Sequence, residues 1–310
     1  MSFDRVVIIT RQTRLEESIK RFNTKAQASF YVTKRGQSFS DYELEDDNYH
    51  FARDLVVRSI EPGIKFHILD RSFLPNYLFG AGDLVVTLGQ DGLVVNTAKY
   101  LNGQPILAFN PDPDRFDGIL LPFLPNQAPE VMKSVFTRKI ATQKISMAEA
   151  RLTDGQKLYA FNDLFIGAKS HTSARYTLQY KNKSERQISS GIIVSTPAGS
   201  TGWMSSLFNM ASGISAFAGN KKVKVPERIP WQERKLMFMV REPFRSKWSG
   251  ADLVAGIIQQ GQDIILESHM PENGTIFSDG MESDFLEFNS GATAKIRIAE
   301  KVTELIMEVK

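Results

Sequence analysis

Apolar residues in the first part of the chain fall into short unbroken runs set between polar stretches of helical spacing. Arg5 to Thr10, Lys65 to Leu69, Leu84 to Leu88 and Pro105 to Phe109 read as buried strands. Between the first two, Thr13-Arg14-Leu15-Glu16 has the form of a capping box, and Leu15, Ile19 and Phe22 follow on one helical face. Leu44, Phe51, Ala52, Leu55 and Val56 predict a second helix, ended near Pro62-Gly63, and the segment from Gly36 through Asp41 reads as a polar connection. A third helix is expected over Leu93 to Leu101, stopped by Asn102-Gly103. Strands alternating with helices imply a parallel sheet covered by helices, an N-terminal α/β domain.

The pattern changes after Met132. Lys157 to Phe161, Tyr176 to Tyr180, Ile192 to Val194 and Lys235 to Val240 are short strand-like runs, with turn signals at Asp154-Gly155, Asn182-Lys183 and Gly219-Asn220. This half reads as β-rich. Pro122, Pro125 and Pro129 suggest the junction, so the expected domains are 1–128 (α/β) and 129–310 (all-β in character).

Composition narrows the functional classes. With 310 residues the chain is long enough for one large domain or two ordinary ones, and 42% hydrophobic and 24% charged residues are globular values. The net charge of +3, from 38 basic and 35 acidic residues, is too balanced for nucleic acid to be the main partner. Absence of cysteine excludes disulfides, thiolate catalysis and cysteine-held metal. No apolar run approaches the roughly 18 residues of a membrane span, and Met1-Ser2-Phe3-Asp4 leads straight into the first strand, so a soluble cytoplasmic protein is expected. The histidines at 50, 67, 171 and 269 stand singly with no metal-ligand spacing, so no protein-held metal is expected.

Three stretches carry candidate chemistry. Gly89-Gln90-Asp91-Gly92 joins a buried strand to a helix, the geometry that sets backbone N–H groups and a helix N-terminus beside an anion. Asp91 is either the cap of that helix or an acid at the mouth of a site. The turn-rich Asn110-Pro111-Asp112-Pro113-Asp114-Arg115 lies at the same sheet edge, where open parallel sheets bind ligands, and is either a plain loop or a carrier of Arg115 into the site. Asn162-Asp163 sets two polar side chains inside an apolar run, suited to sugar hydroxyls or else satisfied by local backbone. Ser195-Thr196-Pro197-Ala198-Gly199-Ser200-Thr201-Gly202-Trp203 follows a buried strand; its hydroxyls and N–H groups can grip a nucleotide, and Trp203 can stack on a base or pack the core.

A G-x-D-G turn, an Asn-acid pair and a Ser-Thr-Pro-x-Gly-Ser-Thr loop, in that order, resemble the NAD kinase family. The likeness looks nearest to the mitochondrial-type branch, through residues 110–115, Ser189-Ser190-Gly191, Val240-Arg241-Glu242-Pro243 and Glu287 to Ala292. It implies a kinase that moves a phosphoryl group from ATP with Mg²⁺, or from polyphosphate, to the 2′-hydroxyl of the adenosine ribose of NAD. By that resemblance Asp91 is the base. Gly89 and Gly92 line the donor phosphates, with Gln90 and Arg115 as the other donor-side candidates. Asn162, Asp163, Ser190, Thr201, Trp203 and Ser206 lie along the dinucleotide, no residue binds metal by itself, and a homodimer or higher homo-oligomer is expected. The sequence departs from the family pattern at Gln90 (usually Gly), Leu93 (usually Thr) and Asp163 (usually Glu), and has Ser190 where most members carry Asp. A kinase for a sugar or lipid hydroxyl, and a dinucleotide sensor without catalysis, are the alternatives.

Overall fold

The computed structural model describes residues 3–137, 139–224 and 228–308. It forms two compact units, residues 1–143 with 303–310, and residues 144–302. The division therefore falls later than the proline cluster. Pro125 lies in a 3₁₀ turn and Pro129 in the first turn of helix 128–136, where a missing N–H costs nothing. These prolines begin a helix of the first unit instead of ending the domain.

In the first unit β1 (Arg5–Thr10), β2 (Lys65–Asp70), β3 (Asp83–Leu88) and β4 (Pro105–Phe109) form the parallel sheet read from the sequence, in the order β2-β1-β3-β4. The chain's last strand ends beside β4, with Glu304 and Leu305 opposite Pro105 and Ile106 in parallel register. Val6 to Ile9, Leu84 to Val86 and Ile106 to Phe109 are wholly buried because helices cover the sheet.

The helices are α1 (Arg14–Phe22), α2 (Lys25–Lys34), α3 (Phe39–Arg58), α4 (Asp91–Ala98) and α5 (Ala128–Phe136). Thr13 makes the expected capping box with Glu16. Helix α2, capped by Thr24, lies where the sequence predicts no element, and α3 begins at Phe39, inside the expected polar connection. Tyr49 of α3 fixes the sheet's upper edge: its hydroxyl accepts from the Arg11 N–H at 2.9 Å and donates to the Leu88 carbonyl at 3.1 Å.

The second unit is built on antiparallel strands: β5 (Ala141–Leu152), β6 (Lys157–Ala160), β7 (Asp163–Ala168), β8 (Ala174–Tyr180), β9 (Lys183–Ser189), β10 (Ile192–Ser195), β11 (Lys235–Val240), β12 (Ala255–Gln259), β13 (Asp263–Ser268), β14 (Gly274–Ser278), β15 (Met281–Glu287) and β16 (Thr293–Met307). One sheet runs β12-β11-β10-β7-β14-β15; the other includes β9-β8-β13-β16, with β5 against β16 and β6. Inward residues such as Ile166, Leu178, Val194, Phe238, Leu266 and Ile296 make their common core. Helix α6 (Trp203–Phe217) lays Met204 and Leu207 on the opposite face of β7 and β10, against Phe165 and Ile193. Among the described residues no helix is long and apolar enough to cross a membrane.

Candidate active site

In the first unit β1 leads to β2 on one side and β3 returns on the other. The carboxyl ends of β1 and β3 therefore flank the switch point at which an open parallel sheet offers a crevice. Gly89 is buried there, directly after β3. Gln90 is exposed and is the N-cap of α4, with no side-chain capping bond. Asp91 is thus not the cap but the first helical residue. Its Oδ1 accepts from the Leu120 N–H at 2.6 Å, anchoring the loop after β4. Its Oδ2 has no hydrogen-bond partner among the described residues.

Leu93 is 4% exposed and folds back on the turn, where a Cβ on Gly89 would stand 2.9 Å from its Cδ2. The position at which the family pattern has Thr is here an apolar plug beneath the turn. Gly92 is exposed, with open space around it. Arg115 is engaged within its own loop, where its Nε donates to Asp112 at 3.1 Å. Another cation, which the sequence reading did not single out, stands at the turn. The Arg11 side chain, 9% exposed, pairs with Glu45 at 2.9 Å and passes its Cδ within 3.7 Å of the Cβ position of Gly89. A lone Arg at the end of the first strand was the available signal.

In the second unit Asn162 and Asp163 lie at the start of β7, held by a residue the sequence gave no reason to single out. The carboxylate of Asp279 accepts from the N–H groups of Phe161 (3.0 Å), Asn162 (2.7 Å) and Asp163 (3.2 Å). Backbone satisfaction is therefore supplied by Asp279, and the side chains of Asn162 and Asp163 have no hydrogen-bond partner among the described residues. The pair is positioned and chemically uncommitted, as a ligand-binding pair must be.

Burial, and secondarily the Asp279 charge, push the Asp163 carboxyl up to about 7. In the unfolded chain the group titrates near 3.9. The folded state then holds the extra proton between these values, so the group stabilises the fold below pH ~4 and that contribution is lost as pH rises through about 7. Asp163→Asn, which cannot ionise, should lose less stability than wild type between pH 5 and pH 8. Denaturant melts across that range are the check; identical pH slopes in the two proteins would show that Asp163 is not raised.

The Ser-Thr-Pro loop packs on the same strand end. Thr196 donates its N–H to the Asn162 carbonyl (2.9 Å) and its hydroxyl to the Phe161 carbonyl (2.5 Å), while the Gly199 N–H donates to the Thr196 hydroxyl (3.2 Å). Thr201 ends a 3₁₀ turn and Ser206 sits on the first turns of α6, both exposed. Trp203 stacks on Phe165, ring centroids 5.9 Å apart at 6°, with the Arg241 guanidinium 5.4 Å from its centroid. Phe165, Trp203, Arg241, Ser190 and Lys169 are among the residues lining a cavity of about 660 Å³. Ser190 and Trp203 therefore share one pocket of the second unit, and Trp203 packs on Phe165 while also lining that cavity.

No family profile matches the chain. A probable NADH kinase of rice (Oryza sativa subsp. japonica) is 26% identical over 241 residues, 68% of this chain and 69% of that protein. The chain has the fold of yeast NADH kinase, solved with NADH, at a TM-score of 0.56 and 17% identity over 98% of this chain and 84% of the other. It also matches the NAD kinase of Archaeoglobus fulgidus, solved with ATP, at 0.53 and 16% over 97% and 92%. An α/β unit with a G-x-D-G turn followed by a β-rich unit is thus the NAD(H) kinase fold. The rice relative and the three motifs in order are a likeness to NAD(H) kinases that goes along with this shared fold.

Proposed function

We propose that this protein is an NAD(H) kinase, moving the terminal phosphoryl group of ATP, or of polyphosphate, to the 2′-hydroxyl of the adenosine ribose. The observation that carries the reading is Asp91: first residue of a helix at the sheet's switch point, one oxygen anchoring a loop and the other uncommitted. Oδ2 accepts the ribose proton as the new O–P bond forms and the bond to the donor's leaving phosphate breaks. The N-terminus of α4 and the exposed Gly92 receive the donor phosphates. Asn162 and Asp163 hold ribose hydroxyls, and Trp203 with Ser190 lines the dinucleotide pocket. Mg²⁺ would be held by the donor phosphates and its own waters, with no protein side chain required as a ligand, and would supply neutralisation of the charge that develops on the phosphates.

Ser190 bears on the redox state of the acceptor. NAD carries a cationic nicotinamide and NADH a neutral one. A neutral Ser190 offers no counter-charge to a cationic ring, in a pocket whose other charges, Arg241 and Lys169 with Glu242 and Glu282, offset one another, and two of the similar proteins are NADH kinases. Ser190→Asp should raise kcat/KM for NAD relative to NADH; an unchanged ratio would remove Ser190 from the nicotinamide end.

The dinucleotide sensor keeps one observation in its favour, the Leu93 plug against Gly89. A thermal-shift panel separates the two. A kinase is stabilised by NAD(H) and by ATP–Mg²⁺ in proportion to ligand excess, a sensor by the dinucleotide alone. The exposed edge strand β2, with Phe66 (48% exposed) and Ile68 (43%), supports assembly into a homo-oligomer through that edge. A cysteine-free chain suits the reducing cytoplasm.

A further inference from the structure

We propose that Glu16, Asp46 and His50 form a binding site for a divalent transition-metal ion of the zinc type, between α1 and α3 of the first unit. One ligand atom from each converges within 4.8 Å of the others. His50 Nε2 stands 3.4 Å from Glu16 Oε1 and 3.5 Å from Asp46 Oδ1. Two carboxylate oxygens and an imidazole nitrogen brought together in this way suit a positive centre among them.

A proton on Nε2 would draw one oxygen to about 2.7–2.9 Å. Here both oxygens stand well beyond that range and almost equally far. A metal about 2.0–2.1 Å from each ligand sets neighbouring ligands about 3.3–3.4 Å apart in a tetrahedron, which is close to the observed separations. One imidazole and two carboxylates make a set that zinc and its borderline neighbours accept, with a fourth position left for water.

The carboxylates are already oriented. The Thr13 N–H donates to Glu16 Oε2 at 2.9 Å, leaving Oε1 to face His50, and the Thr13 hydroxyl donates to Asp46 Oδ1. Hydrogen bonds of this kind hold carboxylates in place around a metal, here through the far oxygen of Glu16 and the facing oxygen, Oδ1, of Asp46. Asp46 and His50 are four apart on α3 and so share a face, while Glu16 comes from α1. No sequence spacing advertises a site split between two helices, which is why His50 reads as solitary in the sequence. Side-chain exposures of 41%, 18% and 32% for Glu16, Asp46 and His50 leave the site open to an entering ion.

The test is calorimetric titration of the full chain, freed of metal by chelator, with Zn²⁺ alone and no nucleotide, paired with its melting curve. The wild type should bind one equivalent and melt at higher temperature when it does. Glu16→Gln retains the capping box, since Gln serves at that position, and should weaken Zn²⁺ binding at least about tenfold. His50→Asn should do the same, and His67→Ala, which alters a different exposed histidine, should bind as wild type does. A wild-type chain that takes up no Zn²⁺ at equimolar concentration, or His50→Asn and Glu16→Gln variants that titrate like wild type, would overturn the site.

Discussion

Asp91→Asn should lower kcat by about 10²–10⁴-fold, the usual contribution of a general base, and leave the melting temperature near that of wild type. The reason is that Asp91 has two separable tasks. Oδ1 holds the Leu120 N–H at 2.6 Å, and an Asn carbonyl oxygen accepts that bond as well. In the proposed mechanism Oδ2 takes the ribose proton, which an Asn amide nitrogen cannot do. The α4 cap is Gln90, so capping does not enter the comparison. Asp91→Ala removes both tasks and should add a stability loss of about 1–3 kcal/mol for the orphaned Leu120 N–H. Turnover at saturating substrates together with calorimetric melting separates the cases. An Asp91→Asn protein with wild-type turnover would eliminate the base.

Gly199→Ala should strike stability and dinucleotide binding together. A Cβ at Gly199 would stand 2.1 Å from the Asn162 carbonyl oxygen and 2.6 Å from its carbon, both backbone atoms that cannot rotate away. Relief requires the loop to lift from the end of β7, and the Thr196 N–H to Asn162 carbonyl bond at 2.9 Å lies in the path of that movement. Overpacking of this kind costs about 1–3 kcal/mol and occasionally more. Since Asn162 is a candidate dinucleotide ligand, NAD(H) affinity should fall with it. Gly213→Ala is the matched control: it lies in α6, exposed, with nothing within 4 Å of its Cβ position, and should hold or raise stability. A Gly199→Ala protein that melts and binds like wild type would mean that the loop does not rest on Asn162.

Strands β1 to β4 and helix α4 were legible because buried parallel strands are nearly continuous apolar runs and glycine turns punctuate them. Helix α2 was not. Only Ala28 and Val32 of its ten residues are buried, while Phe30 and Tyr31 are 59% and 45% exposed, so no apolar face marks the helix. The proline cluster misled because proline in a first helical turn and proline in a linker look alike in one dimension. Asp91, Asn162 and Asp163 were visible as local motifs. Asp279 was not, because it acts on Asn162 across 117 residues of sequence, and only the β7–β14 pairing brings them together. Arg11 was hidden for a similar reason: its nearness to Gly89 follows from β1 lying beside β3.

The most direct measurement of the central claim is the product itself. Purified chain is incubated with NAD or NADH, ATP and Mg²⁺, and NADP(H) is read with an enzyme specific for the 2′-phosphorylated dinucleotide. The account predicts NADP(H) that accumulates with time, disappears in excess EDTA and is cut to a small remnant by Asp91→Asn. No NADP(H) from stoichiometric wild-type enzyme, with dinucleotide binding intact and ATP or polyphosphate supplied, would contradict it.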